Sequence, residues 1–199
     1  MAWAIGGPVA EGTSAVPGRA GPGCQDVSMR ENDAPYVAVI GPGEATEDEV
    51  RDAESVGALL ARNGAVVVCG GLGGVMEAAC KGAALNGGRS VGILPGRDRS
   101  AGNPYASVAL ATGLGELRNG LVVGAGDAVI AIGGSWGTLS EVALAMRAGK
   151  PTFLLGGWRL VPPDVRAEGP ADGPIEVASA QEAVRRALAA CGVNGDGGD

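Results

Sequence analysis

The stretch from Gly133 to Glu141 has residue types and a spacing that suit the binding of an anion. It reads Gly-Gly-Ser-Trp-Gly-Thr-Leu-Ser-Glu and directly follows an apolar run at 128–132. A buried strand that leads through a glycine turn into a helix presents backbone N–H groups and a helix N-terminus to an anion such as phosphate. We predict that this helix begins at Thr138. The predicted phosphate-binding residues are Gly134, Ser135, Trp136, Gly137 and Thr138.

Two charged side chains near this loop are candidates for chemistry, Glu141 and Arg118. Glu141 either completes a capping box with Thr138, which stabilises a helix by about 1 kcal/mol, or faces the ligand. Facing a ribose, its carboxylate would stabilise an oxocarbenium-like carbon, help to activate water, or only hold sugar hydroxyls. Arg118 is either a solvated helix charge or a phosphate-binding group that also orients Glu141. Trp136 either stacks on a base or lies at a subunit contact.

The composition narrows the chemistry that is available to the chain. Its 199 residues include no histidine, which excludes Ser-His-Asp and Cys-His catalysis and every histidine–metal site. The formal net charge of -7 argues against nucleic acid or an anionic membrane as the main partner. The four cysteines show no C-x-x-C spacing and are interpreted as core thiols in a reducing compartment. No apolar run approaches the roughly 20 residues of a membrane span and no secretory signal is evident, so we expect a cytoplasmic protein.

Apolar runs and amphipathic segments alternate along the chain. The predicted strands cover 36–40, 65–69, 90–94, 108–111, 128–132, 151–155 and 175–177. The predicted helices start at a capping box of Thr46 and Glu49, follow the second strand over about 75–83, and cover about 114–123, 138–148 and 180–190. Strands that are apolar on both faces indicate a parallel sheet covered on both sides. We therefore predict an α/β fold, a doubly wound parallel sheet of the Rossmann-like three-layer αβα type.

A single domain is predicted over 35–191. The segment 1–34 is rich in Gly, Pro, Ala and Ser without periodicity, and the segment 192–199 is rich in Gly and Asp. Both are predicted to be disordered tails. Met29 lies just before the domain and is an alternative start to Met1.

Glycine-rich segments follow four of the predicted strands, at 41–43, 70–74, 95–96 and 133–137. Ligands on parallel sheets bind at the C-terminal ends of the strands, so we expect the binding crevice there. The candidate ligand-binding glycines outside the phosphate loop are Gly41, Gly70, Gly71, Gly73 and Gly74. The last four either line the sugar or base side of a ligand or only permit close packing of strand and helix.

The spacing of the glycines does not match a common nucleotide-binding motif. The Gly41-Pro-Gly43 turn lacks the third glycine of a dinucleotide fingerprint, and the second strand ends in Cys69 rather than an acidic residue. No P-loop sequence occurs either. We therefore expect neither NAD nor FAD, no other cofactor and no metal.

Seven motifs occur in one order along the chain. They are Cys69-Gly-Gly-Leu-Gly-Gly-Val-Met-Glu77, Gly92-Ile-Leu-Pro-Gly96, Asn103-Pro104, Thr112-Gly-Leu-Gly115, Arg118-Asn119, Asp127-Ala-Val-Ile-Ala-Ile-Gly-Gly134 and Gly137-Thr-Leu-Ser-Glu141. Together they resemble the LOG-like superfamily of Rossmann proteins, also called lysine decarboxylase-like. Within it, they are most similar to the branch that contains the molybdenum cofactor carrier proteins. The resemblance covers about residues 35–156.

The resemblance implies catalytic and phosphate-binding roles for the residues that match the enzyme signature. LOG enzymes hydrolyse nucleoside monophosphates to free base and ribose phosphate, and their signature is P-G-G-x-G-T-x-x-E with an arginine upstream. Gly137, Thr138 and Glu141 match this signature, and Arg118 falls at the arginine.

Three positions depart from the enzyme pattern. Gly133 stands at the proline of the signature, and Ser135 stands at its second glycine. The lysine that usually follows the arginine is Asn119 here, which we include among the candidate ligand-binding residues.

Two functional hypotheses follow from these observations. The first is a nucleoside monophosphate phosphoribohydrolase in which Glu141 and Arg118 are the catalytic residues. The alternative is a non-enzymatic carrier or sensor of a nucleotide or of a pterin phosphate such as molybdenum cofactor. The Glu141 and Arg118 pair favours the enzyme, whereas the altered loop and the closer similarity to the carrier branch favour the carrier. The resemblance also implies at least a homodimer.

Overall fold

The computed structural model describes residues 34–159 and 173–193. Most of the predicted tails at 1–34 and 192–199 lies outside the described residues, so the domain boundaries stay predictions. The strands are β1 (Tyr36–Ile40), β2 (Val66–Cys69), β3 (Arg89–Leu94), β4 (Val108–Ala111), β5 (Ala128–Ile132), β6 (Thr152–Leu155) and β7 (Ile175–Val177). The helices are α1 (Glu47–Arg62), α2 (Val75–Leu85), α3 (Asn119–Ala125), α4 (Trp136–Arg147) and α5 (Ala180–Ala190).

The strands form one sheet in the order β4-β3-β2-β1-β5-β6-β7. Every neighbouring pair is parallel; in the centre, β1 pairs β5 with Val37 opposite Ala128 and Ile40 opposite Ala131. The central strands are apolar on both faces and are buried along their length, as a covered parallel sheet requires. The predicted doubly wound α/β fold is confirmed.

The alternation of side chains along β1 and β5 divides the core between the two faces of the sheet. Val37, Val39 and Ile130 belong to a buried cluster with the apolar sides of α1, α2 and α5. Ala38 and Ile40 point the other way and pack in a cluster with α3 and α4. The helices therefore cover both faces, which gives the three layers. None of the helices in the described part of the chain has the length and the apolar run that a membrane crossing needs.

Two helices differ from the predictions near the candidate site. α4 begins at Trp136 rather than Thr138, because Ser135 is its N-cap and the Ser135 hydroxyl accepts the Thr138 N–H at 3.2 Å. The single helix predicted over 114–123 is instead a 3-10 helix, Gly115–Arg118, followed by α3. Gly115 has a φ of +56°, in the left-handed region that an α-helix does not use, so the regular helix starts only after it.

The chain winds outward from β1 to β4 on one side of the sheet and then returns to place β5 on the other side of β1. This change of direction opens a crevice beyond the carboxyl ends of β1 and β5, where open α/β sheets bind ligands. The glycine segments at 41–43, 70–74, 95–96 and 133–137 directly follow β1, β2, β3 and β5, so all four lie at this edge of the sheet.

Candidate functional site

A cavity of about 200 Å³ lies in the crevice between the ends of β1 and β5. Of the predicted site residues, those that line it are Gly41, Gly70, Arg118, Asn119, Ser135, Gly137, Thr138 and Glu141. The predicted residues that do not line it are Gly71, Gly73, Gly74, Gly134 and Trp136. The sequence did not single out Glu116 and Met76, which also line it. The cavity thus combines a helix start, one cation and two carboxylates.

The start of α4 forms one wall of this cavity. Ser135 caps the helix, and its Oγ lies 3.0 Å from the Thr138 Oγ. The backbone N–H groups of the first turn point out of the helix end, because the first N–H groups of an α-helix have no carbonyl partner within it. Together with the helix dipole, they favour an anion at this wall.

Glu141 lies in the second turn of α4 and does not cap the helix. The capping box of Thr138 and Glu141 is not formed, because Ser135 occupies the N-cap position. Glu141 is instead buried, with only 6% of the residue exposed, and it lines the cavity. Its carboxylate is therefore a feature of the site rather than of the helix end.

Arg118 is the cation of the site and is also buried, with 7% of the residue exposed. Its Nη1 donates a 2.6 Å hydrogen bond to the Asn119 Oδ1 and lies 3.6 Å from the Glu141 Oε1. Its Nε is buried, and within the described residues it has no hydrogen-bond partner. Buried donors are nearly always paired in folded proteins. Arg118 also lines the cavity, so a ligand oxygen that reaches its guanidinium would supply the partner that this donor lacks.

Burial raises the pKa of Glu141 to about 7, since a carboxylate without water is costly. The Arg118 guanidinium opposes this change, and the nearby Glu116 carboxylate adds to it through like-charge repulsion. A pKa near neutrality allows Glu141 to hold or release a proton under ordinary conditions, as a general acid or base must.

Gly70 is what allows Arg118 to lie at the end of β2. A Cβ atom at position 70 would come within 2.8 Å of both Arg118 Nη1 and Nη2, and within 2.7 Å of the Met76 sulfur. The guanidinium therefore rests directly on the Gly70 backbone. By contrast, Gly71 and Gly74 have positive φ angles and pack on the backbone of neighbouring segments, which is the packing role weighed for them from the sequence.

The loop between β5 and α4 is braced by Trp158, a residue that the sequence did not single out. The Trp158 indole lies over Gly134, where a Cβ atom would meet the ring at 2.6 Å, and its Nε1 donates a 3.3 Å hydrogen bond to the Ser135 carbonyl. Trp136 packs against the same indole with ring centroids 5.3 Å apart, while 78% of Trp136 stays exposed. The signal in the sequence was the Gly156-Gly157 turn, which brings Trp158 back from the end of β6 to this loop.

Gly133 has a structural reason for standing where the enzyme signature has proline. Its φ is +64°, whereas proline holds φ near −65°. A side chain at this position would also clash with the Glu49 carboxylate, which completes the capping box of α1. The loop in this conformation therefore does not accommodate proline at position 133. Within residues 34–159 and 173–193, no group of three or more His, Cys, Asp or Glu side chains is arranged to hold a metal ion.

A doubly wound αβα sheet with a polar crevice at its switch point defines a Rossmann-like protein. The chain belongs to the SLOG cluster4 family, whose model matches residues 34–184. A protein of Archaeoglobus fulgidus, described as uncharacterized, is 47% identical to it over 62% of this chain and 85% of the relative.

Two solved structures that are similar to this chain have a stated ligand or role. The molybdenum cofactor binding protein of Rippkaea orientalis is 35% identical, with a TM-score of 0.68 over 76% of this chain and 94% of that one. The molybdenum cofactor carrier protein of Chlamydomonas reinhardtii is 28% identical, with a TM-score of 0.65 over 78% of this chain and 99% of that one. The resemblance to the LOG-like superfamily and to its carrier branch is confirmed.

Proposed function

We propose that this protein is a carrier of a phosphorylated pterin such as molybdenum cofactor, which it binds in the crevice between β1 and β5. The observation that carries the proposal is the buried Arg118 Nε, which has no partner among the described residues and belongs to a side chain that lines the cavity. The similarity to a molybdenum cofactor binding protein and to a carrier protein supports the choice of ligand.

The phosphate of the ligand would occupy the space between Arg118 and the start of α4. Arg118 offers N–H donors in a fixed plane that suits phosphate oxygens, and the first turn of α4 offers backbone N–H groups. Glu141 lies 3.6 Å from the Arg118 Nη1. A phosphate placed there would repel an ionised Glu141, so binding is expected to favour the protonated carboxyl.

The carrier hypothesis is tested by the ligand that the protein retains. The full chain is purified from a host that makes molybdenum cofactor, and bound molybdenum and oxidised pterin are quantified. We expect retention by the wild type and by Arg97→Met, which removes an exposed arginine outside the cavity. We expect at least a tenfold loss of retained pterin in Arg118→Met, because a charge-assisted contact to phosphate is worth roughly 1.5–3 kcal/mol. Equal retention by the wild type and Arg118→Met would contradict the proposal.

Hydrolysis of a nucleoside monophosphate is the second candidate function, and the state of Glu141 favours it. A buried carboxyl with a pKa of about 7, held beside an arginine, has the properties of a general acid or base in glycosidic bond cleavage. The test is incubation with a panel of nucleoside monophosphates while free base is measured. Release of base that disappears in Glu141→Gln, while the melting temperature of the variant is no lower than that of the wild type, would favour the enzyme. Absence of release from the whole panel would exclude it.

We also propose that the protein forms a homodimer through an apolar surface beside the cavity. Leu114, the N-cap of the 3-10 helix, Leu117 within it and Leu121 of α3 recur every three or four residues, and Leu117 is 81% exposed. Leu144 of α4 is also exposed, and α4 packs next to α3. A surface of this kind is unfavourable in water and typical of a subunit contact. Sedimentation of the wild type as a dimer and of Leu117→Glu as a monomer is expected; a monomeric wild type would contradict it.

A cytoplasmic location is proposed from the cysteines. Cys69, Cys80 and Cys191 have free thiols, although the Sγ atoms of Cys69 and Cys80 lie only 3.5 Å apart. Buried cysteines without C-x-x-C spacing are typical of proteins that are kept in reducing surroundings. Fractionation of the native cells, with detection of the protein in the cytoplasmic or the periplasmic fraction, tests this location.

A further inference from the structure

A second carboxylate, Glu116, lies at the rim of the cavity in a position that its polar neighbours define. Arg118 can only donate hydrogen bonds, so its 2.6 Å contact makes the Asn119 Oδ1 the acceptor. The other end of the Asn119 amide, Nδ2, then faces the Glu116 Oε2 at 3.4 Å. All three side chains line the cavity. The arginine thereby fixes the amide, and the amide directs the glutamate.

Glu116 keeps capacity to accept hydrogen bonds from a ligand. An ionised carboxylate has about four lone-pair positions. The Asn119 contact uses one of them and is long for a hydrogen bond. The residue is exposed, so its remaining acceptor positions are open to the cavity mouth.

The cavity therefore combines groups of opposite charge that lie on either side of the Asn119 amide. The Arg118 guanidinium, with its buried unpaired Nε, and the start of α4 favour an anion. Glu116 favours hydrogen-bond donors. Its negative charge also helps to raise the pKa of Glu141. A molecule that bears both a phosphate and N–H donors would match both groups.

We propose that Glu116 determines the ring specificity of the site by accepting hydrogen bonds from adjacent N–H groups on one edge of a ring. Pterin and guanine rings present such an edge, with an exocyclic amino group beside a ring N–H. An adenine-type ring presents a ring nitrogen acceptor beside its amino group, and that acceptor would face the carboxylate. The inference rests on the proposed function, since it takes the phosphate to be bound by Arg118 and α4.

The test compares two nucleotides that differ by one amino group. Guanosine monophosphate and inosine monophosphate are titrated separately into the full chain by calorimetry. We expect the wild type to bind the guanosine nucleotide at least about tenfold more tightly, because a hydrogen bond to a charged group is lost in the inosine nucleotide. In Glu116→Gln we expect the two affinities to lie within about twofold, since the amide offers one acceptor oxygen and adds donors. The control Glu47→Gln, an exposed residue of α1 outside the cavity, should keep the wild-type ratio.

Each other result overturns a defined part of the reasoning. Equal affinities in the wild type would refute ring recognition and leave the anion site in place. A ratio that persists in Glu116→Gln would refute the role of Glu116. Failure of both nucleotides to bind would also refute the inference, and a titration with inorganic phosphate followed by phosphorus NMR then shows whether the anion site itself fails.

Discussion

Replacing Glu141 with glutamine removes one titrating group from the cavity and keeps the size of the side chain. The pKa of Glu141 is raised by burial from 4.5 to about 7 in the folded protein. Between these two pH values the folded state holds a proton that the unfolded chain has released. The free energy of unfolding of the wild type must therefore fall as pH rises through this window.

The size of this effect follows from the same two pKa values. At about 1.36 kcal/mol per pH unit, a change from 4.5 to about 7 corresponds to a loss of about 3 kcal/mol above pH 7. Glutamine is neutral at every pH, so Glu141→Gln should lack this loss. The variant is then expected to match the wild type near pH 4.5 and to exceed its stability by up to about 3 kcal/mol near pH 8.

Urea unfolding of both proteins without ligand, at about pH 5 and about pH 8, measures this difference. The other titrating groups are shared by the two proteins, so they cancel when the pH dependence of one is subtracted from that of the other. If the two unfolding free energies change in parallel, within about 0.5 kcal/mol, Glu141 does not hold a proton in the folded protein. The burial argument would then be wrong.

Substitutions at Gly70, Trp158 and Gly133 test the geometry around the cavity. Gly70→Ala should displace Arg118 and weaken the binding of guanosine monophosphate about tenfold. The control is Gly96→Ala, where a Cβ atom meets nothing within 4 Å and binding should not change. Equal affinities of the two variants in calorimetry would contradict this prediction. Trp158→Phe keeps a ring over the β5–α4 loop but loses the hydrogen bond to Ser135, so the binding of guanosine monophosphate should weaken less than in Trp158→Ala. Identical affinities of the two variants would show that the ring over the loop does not support binding. Gly133→Pro should lower the free energy of unfolding by about 3 kcal/mol or more, as urea denaturation would measure, because φ is +64° there.

The sheet could be predicted because the apolar runs of its central strands are compatible with few other structures. Residues 36–40 and 128–132 are apolar at every position, so they fit only a strand that is buried on both faces. Glycines directly after such strands then predict that the crevice lies at the carboxyl edge. The fold class and the position of the site both follow from this pattern.

The first residue of α4 could not be predicted correctly from the sequence, because two residues are suitable for the N-cap position. Ser135 and Thr138 are both favourable caps, and Thr138 has a glutamate three residues later, as a capping box does. The folded chain uses Ser135, which turns Glu141 into a buried side chain of the cavity. This choice depends on how β5 enters the loop, which a local pattern does not contain.

Other features of the site depend on contacts between distant segments. Trp158 reaches Ser135 across 23 positions, and the sequence between them gives no period that predicts the contact. Arg118 is recognisable as a candidate from its motif, but the burial of its unpaired Nε is a property of the folded chain. The polarity of the cavity thus had to come from the three-dimensional structure.

In the proposed binding mode, the Arg118 Nε binds the phosphate group of the ligand. Nitrogen-edited NMR of the full chain with labelled arginine observes each arginine Nε–H directly, and the Arg118 signal is assigned by its loss in Arg118→Lys. On titration with inorganic phosphate, this signal should move downfield and slow its exchange with water, because an unpaired donor gains a charged acceptor. A saturable phosphate response at other sites, with the Arg118 signal unchanged, would show that the Arg118 Nε does not bind phosphate.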